Sequence, residues 1–185
     1  MRFKAQIMNS SDVDRTLVRL SHQIIENNGG VDGLCLLGIR TRGVPLAHRI
    51  AENIEKIEGV RVPVGELDIS LYRDDLSTIN IDPVINQTSV SFPVEGKTVV
   101  LVDDVIFTCR TARCGIDATL SMGRPAKIQL CVLIDRGHSE LPIKPDFVGK
   151  NIPTSLNEVV TVNLGETDGL TNVVILEKEE EQIYD

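Results

Sequence analysis

No C-x-x-C pair occurs among the four cysteines, Cys35, Cys109, Cys114 and Cys131, and two of them lie inside apolar, strand-like runs. That pattern argues against a disulfide framework or a zinc site and fits reduced thiols in the cytoplasm. No apolar run approaches the roughly 18 residues of a membrane span, and Met1-Arg2-Phe3-Lys4 leads into no continuous apolar stretch of the secretory kind. The expectation is a cytoplasmic protein with no membrane partner. Also missing is any Ser-His-Asp or Cys-His arrangement of a nucleophilic enzyme. Basic residues are in deficit: 19 Lys and Arg stand against 27 Asp and Glu, for a net charge of −8. Nucleic-acid phosphates want the opposite balance. The charge is uneven, however. Glu177 to Asp185 holds five acids and one lysine, so this tail supplies −4 of the −8. What matters for a polyanion is whether basic side chains share a face, which whole-chain charge does not decide.

What is present alternates. Asn9-Ser10-Ser11-Asp12 offers helix N-caps, Val13, Leu17, Leu20 and Ile24 recur at helical spacing, and Gly29-Gly30 gives a stop. Arg15, Arg19 and His22 form a stripe off that apolar face. Gly33 to Ile39 is a continuous apolar run, as for a strand buried on both faces. It ends at Arg40-Thr41-Arg42-Gly43, after which Leu46, Ile50, Ile54 and Ile57 predict a helix stopping near Gly59. Arg61 to Tyr72 alternates as a strand, and from Arg73 to Pro93 the periodicity fails. A long unpatterned segment of this kind is either a functional loop or disordered. Strand resumes at Thr98 to Asp104, followed by a helix from about Ala112 to Met122 and a buried strand from Ile128 to Ile134. Arg136 to Ser155 reads as irregular, with strand-like pieces at Val159–Leu164 and Val173–Leu176. Alternating strands and helices imply an α/β fold with a mainly parallel central sheet flanked by helices. With no repeat and no linker, one domain over residues 1–185 is expected, with an irregular cap, a flexible loop at about 73–93 and an acidic tail at 177–185.

The chemistry concentrates in Val99 to Thr111, V-V-L-V-D-D-V-I-F-T-C-R-T. Its apolar residues bury a central strand and deliver Asp103 and Asp104 at the carboxyl end, where open α/β sheets bind ligands. The turn Thr108-Cys109-Arg110-Thr111 then enters a helix whose free amides and positive dipole end suit a phosphate, with two hydroxyls as further donors. Carboxylates for a diol beside amides for a phosphate describe a ribose-5-phosphate pocket. Adjacent acids alone would more simply cap a strand end.

This segment resembles the phosphoribosyl pyrophosphate (PRPP) signature of type I phosphoribosyltransferases. The stretches Arg40–Gly43, Gly65–Ile69, Leu71–Asp75, Gly123–Leu130, Asp135–Ile143 and Gly149–Ser155 resemble the PyrR family in particular. The likeness covers nearly the whole chain and weakens in Leu76–Val94 and after Ser155. It implies a type I phosphoribosyltransferase fold with a hood, and a uridine-nucleotide-dependent RNA-binding regulator of pyrimidine operon attenuation. It also implies uracil phosphoribosyltransferase activity, making UMP and diphosphate from uracil and PRPP.

By that resemblance Thr41 and Arg42 hold pyrophosphate, Asp103 and Asp104 accept the ribose hydroxyls, and Thr108, Cys109, Arg110 and Thr111 hold the 5′-phosphate. Arg73 opens the closing loop, and uracil sits near Arg136. Asp103, Asp104 and Arg42 are then the catalytic candidates. Mg2+ is expected to arrive with the pyrophosphate and not in a dedicated protein cage. Thr16, Arg19, His22, His138 and Lys150 are the implied contacts to messenger RNA, in a homodimer or larger homo-oligomer. Three departures stand out. Cys109 occupies a position where the family has glycine, and if the backbone there needs positive φ, a Cβ costs roughly 1–2 kcal/mol. Poorer use of PRPP is expected to follow. Phe107 replaces a usual tyrosine, and Ser139 stands where relatives often carry arginine, trimming the basic face. The alternatives are a metabolic phosphoribosyltransferase without RNA binding and a nucleotide sensor whose catalysis Cys109 has abolished.

Overall fold

The computed structural model describes residues 1–69 and 89–179. It opens with strand β1 (Arg2–Met8), which the sequence reading does not anticipate. Helix α1 (Ser10–Asn28) follows, started by Asn9: its side-chain oxygen accepts the Asp12 amide at 2.9 Å while Asp12 accepts the Asn9 amide at 3.0 Å. This reciprocal capping box satisfies two otherwise unpaired donors. The apolar run becomes β2 (Leu34–Ile39), buried along its whole length. Then come α2 (Gly43–Glu58), β3 (Val64–Leu67), β4 (Thr98–Ile106), α3 (Arg110–Ser121) and β5 (Lys127–Asp135). The chain continues through β6 (Phe147–Asn151), β7 (Glu158–Asn163), the short α4 (Gly165–Asp168) and β8 (Asn172–Glu177).

Five strands form an all-parallel sheet in the order β3-β2-β4-β5-β6. Alternate residues serve opposite faces. Leu36, Val100 and Val102 meet the apolar stripes of α1 (Leu17, Leu20, Ile24) and α2 (Leu46, Ile50, Ile54). Leu37, Leu101 and Val132 face the α3 side, with Ala112, Cys114 and Ala118. The α/β reading with a parallel sheet therefore holds.

Three corrections apply. Residues 159–164 and 173–176 do not extend the parallel sheet; as β7 and β8 they join β1 in a separate antiparallel sheet, order β1-β8-β7. The region read as irregular from Arg136 to Ser155 contains β6, an edge strand in register with β5. Only Val64–Leu67 of the predicted 61–72 strand is strand among the described residues. Most of the expected flexible loop, with Arg73, lies outside the described residues, as does the tail from 180 onward. Within them, Ser89 already bridges back to Glu66, and Val94 is buried. Among the described residues no helix is long and apolar enough to cross a membrane.

Candidate active site

The strand order turns back between β2 and β4: the chain leaves β2 through α2 to β3 on one side, whereas β4, β5 and β6 run out on the other. At such a reversal the loops beyond neighbouring strands diverge and leave a crevice. The loop after β2 carries Thr41 and Arg42; the end of β4 and its following turn carry Asp103 to Thr111. Two glycines press these segments together. A Cβ on Gly43 would lie 2.3 Å from the Val102 carbonyl oxygen and 3.3 Å from Asp103 Cα, and one on Gly38 would lie 2.5 Å from Val44 Cα. Only bare backbone lets the start of α2 sit directly against the acid-bearing strand.

Asp103 is 8% exposed, and its Oδ1 accepts the Asp104 amide at 2.9 Å; Asp104 Oδ1 in turn accepts the Val105 amide at 2.9 Å. Burial pushes the Asp104 carboxyl up from its ordinary value, opposed by hydrogen bonding from Asp103 and Val105 and by the positive field of Arg42. Arg42 is therefore close enough to Asp104 for their charges to interact, which ties the two loops into one site. Its guanidinium pairs with Asp168 of α4 through two bonds, Nε to Oδ2 at 3.1 Å and Nη2 to Oδ1 at 2.8 Å. Arg40, in contrast, turns to Glu66 and Asp68 at the end of β3, and Thr41 is exposed.

Cys109 adopts φ 70°, ψ 4°, the left-handed conformation, and α3 starts without a side-chain cap. Among the described residues Thr108 Oγ1 reaches only the Arg110 amide, at 3.4 Å. The first-turn amides of α3 are thus left for an anion. The turn is fastened to the segment after β5 at four successive residues. Phe107 meets the His138 ring edge-on, centroids 5.5 Å apart, and lies 4.0 Å beneath the Arg136 guanidinium. The Thr108 carbonyl accepts the Glu140 amide at 3.2 Å. Cys109 Sγ sits 3.2 Å from Ser139 Oγ and 3.4 Å from the Ile143 carbonyl oxygen. Arg110 Nε donates to Glu140 at 2.9 Å. The Cys109 thiol, 2% exposed, points into this junction with Ser139 and Ile143. Arg136 is 7% exposed; its Nε bonds Thr154 Oγ1 at 3.1 Å and its Nη2 donates to the Glu158 carbonyl oxygen.

The residues anticipated for RNA divide. Thr16, Arg19 and Lys150 line one open depression of about 390 Å³ with Ile7, Met8, Asp12 and Arg15. His22 is exposed one turn further along α1. His138 is not brought to that depression by any contact among the described residues; it packs on Phe107, and its Nε2 lies 2.6 Å from the Thr154 carbonyl oxygen. Arg19 is also less free than its stripe suggests: it donates to the Val148 and Gly149 carbonyls of β6. The physical reason is that β6 is an edge strand, whose outer carbonyls have no strand partner. Arg15 pairs with Asp12 at 2.7 Å.

Sequence reasoning missed Asp168, Thr154 and the close approach of Gly43. Only Gly43, next to an arginine at a strand-to-helix turn, carried a local signal. Together the crevice offers two carboxylates for a diol, helix amides for a phosphate, and an arginine for a second anion.

The chain matches the "Phosphoribosyl transferase domain" family over residues 6–166. It is 56% identical to "Bifunctional protein PyrR" of Thermus aquaticus over 179 residues, covering 97% of this chain and 99% of that one. It is 59% identical to the protein of the same name from Pelotomaculum thermopropionicum, again over 97% and 99% of the two chains. Among solved structures it is similar to a hypoxanthine phosphoribosyltransferase of Trypanosoma cruzi, with a TM-score of 0.72, 18% identity, and coverage of 96% of this chain and 98% of that one.

Proposed function

Because this chain belongs to the PyrR family of phosphoribosyl transferase domain proteins, we propose that it joins uracil to ribose 5-phosphate drawn from PRPP, and that uridine nucleotides in the same pocket set its affinity for messenger RNA. The observation that carries this reading is the crevice at the strand reversal, where Gly43 sets the loop of Thr41 and Arg42 directly against the Asp103 backbone beside an uncapped helix start.

A ring nitrogen of uracil attacks the anomeric carbon, the bond to pyrophosphate oxygen breaks with its electron pair leaving on pyrophosphate, and the nitrogen's proton passes to the departing diphosphate or to water. Positive charge builds on the sugar and negative charge on the leaving group, so placed charges and dipoles matter more than a nucleophile. Asp103 and Asp104 accept the ribose hydroxyls and face the cationic ring. Amides of the turn at Thr108 to Thr111 hold the 5′-phosphate. Thr41 and Arg42 receive the pyrophosphate. Hard carboxylate oxygens at the strand end beside a diphosphate are the donor set that suits Mg2+, which keeps waters and substrate oxygens as ligands. When bound, that ion neutralises charge growing on the leaving diphosphate. Uracil is read to sit near Arg136, whose guanidinium stacks on the Phe107 ring.

For RNA, Thr16, Arg19 and Lys150 contribute donors around the depression, His22 extends it, and His138 lies on the segment fastened to the phosphate turn. Linkage between pocket and RNA requires only that nucleotide and RNA favour the same arrangement of this junction. In a homodimer the small basic surface doubles, which raises avidity. The protein is read as one domain working in the cytoplasm.

Two measurements test the whole reading: uracil-dependent release of pyrophosphate, and RNA retention with and without uridine nucleotide at stated salt. Retention is expected to rise with nucleotide. Lys150→Ala is expected to lower it about fivefold and to reduce the salt slope by about one. Turnover without nucleotide-enhanced retention would leave a metabolic enzyme alone.

Cys109 favours a second reading, nucleotide sensing with reduced turnover. An L-residue at φ 70° carries roughly 1–2 kcal/mol of strain, and its narrow well resists the small backbone adjustment by which the turn follows an anion. Cys109→Gly is expected to raise kcat/KM for PRPP about fivefold, the equivalent of about 1 kcal/mol. Cys109→Ala, which keeps the Cβ, is expected to gain nothing. Equal activity of the glycine variant and the parent would remove this account of the position.

A further inference from the structure

Two carboxylates fasten the short α4 turn to α2. Arg49 donates to Glu166 through Nε at 2.8 Å and Nη2 at 2.7 Å, and Arg42 to Asp168 as described. The two pairs differ in surroundings. Arg49 lies further along α2 than Arg42 and also reaches Thr171 and Asp14. Asp168 holds Arg42, the arginine whose charge acts on Asp104. Asp168 is itself locked: Oδ2 accepts the Leu164 amide at 2.9 Å and the Thr167 hydroxyl at 2.7 Å. Its two bonds to Arg42 use the Nε–Nη2 edge of the guanidinium. Among the described residues no hydrogen bond engages the Nη1 edge, and the Arg42 side chain remains 33% exposed. A planar guanidinium gripped along one edge presents the other edge in a fixed direction, which a lysine ammonium cannot do.

We propose that Asp168 is a positioning residue for the pyrophosphate subsite: it grips one edge of Arg42 so that the opposite Nη1 edge faces the diphosphate of the substrate. This rests on the placement of pyrophosphate at Thr41 and Arg42. The Arg42–Asp168 pair keeps the Asp168 carboxyl well below the usual carboxylate range, so the grip persists through the neutral range of pH. Fixing the arginine before the substrate arrives removes an ordering cost from binding, so the effect belongs to affinity more than to turnover. The brace also comes from the antiparallel sheet's side of the molecule, since α4 connects β7 to β8. The pyrophosphate end of the crevice and the sheet of β1, β8 and β7 are thereby mechanically joined.

The test compares Asp168→Asn, Arg42→Ala, their combination, and Arg49→Ala, by calorimetric titration with Mg-pyrophosphate and by steady-state kinetics for PRPP. Asp168→Asn keeps side-chain size and an oxygen for the Leu164 amide, so it is expected to fold. It is expected to weaken pyrophosphate binding and raise KM for PRPP about tenfold, with kcat within about threefold. Arg49→Ala, which loosens the same turn without touching Arg42, is expected to leave both unchanged. In the Arg42→Ala background Asp168→Asn should add nothing, because its action runs through that side chain. An unchanged or tighter pyrophosphate affinity in Asp168→Asn would overturn the proposal, as would full additivity or an equal loss in Arg49→Ala. If Arg42→Ala alone leaves affinity and KM intact, the pyrophosphate placement itself fails, and the proposal with it.

Discussion

Asp104→Asn is expected to lower kcat/KM for PRPP about a thousandfold, the equivalent of roughly 4 kcal/mol of transition-state stabilisation. Two contributions reach that size. Hydrogen bonds from the ribose hydroxyls to a charged acceptor are worth about 1.5–3 kcal/mol each, and the carboxylate opposes the positive charge developing on the sugar. An amide keeps the shape and loses both the charge and one acceptor. The pH dependence follows from the direction of the shift. Burial raises the Asp104 carboxyl above its ordinary value, so the proton is retained to higher pH than on a free side chain. Only the ionised form accepts both hydroxyls, and the acid limb of kcat/KM should therefore lie above the usual carboxylate range. For stability the sign is reversed. The folded state holds this proton more tightly than the unfolded chain, so the group favours folding at low pH, and that contribution is lost as pH rises from the unfolded value through the folded one. Asp104→Asn should consequently be more thermostable than the parent at neutral pH while being far less active. Retention of more than a tenth of parental kcat/KM, or an unmoved acid limb, would count against Asp104 as the ribose acceptor.

Gly43→Ala should cost about 2–3 kcal/mol of stability and remove most PRPP binding. The added methyl would meet the Val102 carbonyl oxygen at 2.3 Å and the Asp103 Cα at 3.3 Å. Both are backbone atoms, so no rotamer change relieves the contact, and the start of α2 has to lift from β4. That displacement separates Arg42 from Asp104, whose proximity defines the site. Gly165→Ala is the matching control, because its methyl would find nothing nearer than the Thr171 hydroxyl at 3.6 Å; a change within about 0.5 kcal/mol is expected there. Denaturant melts and pyrophosphate titration of both variants check the pair. Equal behaviour of the two would show that the close approach at Gly43 is dispensable.

Much of this was legible in the residues because the sheet is parallel. Strands such as β2 and β4 are buried on both faces, so their apolar runs are continuous and cannot be mistaken. The acids and the uncapped turn after β4 were legible for a related reason: they follow one such run within a few residues, and the resemblance in sequence covers them. Edge and antiparallel strands escaped. β6 reads Phe-Val-Gly-Lys-Asn, with only two apolar residues, since it buries one side and relies on Arg19 to satisfy its outer carbonyls. β1 alternates Phe3, Ala5 and Ile7 with Lys4 and Gln6, a period-two signal that a search for helix caps and buried runs passes over. The conformation of Cys109 was foreseen as a condition, and the φ of 70° meets it. Asp168 was invisible, because its partner is 126 positions earlier and nothing local to α4 indicates that separation.

The pairing of β1 with β8 has a bearing on how the molecule comes into being. Arg2 lies opposite Glu177, so β1 is made long before the strand it pairs with. Closing so long a loop is entropically expensive and tends to come late. While synthesis is under way, β1 has its backbone donors unpaired on the side β8 will fill, and Arg42 lacks the α4 carboxylate. A nascent chain can therefore assemble the parallel sheet and the turn before α3 well before Arg42 has its Asp168 partner. If Arg42 is the diphosphate ligand, the brace for that ligand arrives only once α4 has been made, and a translation product interrupted before α4 is expected to bind PRPP poorly.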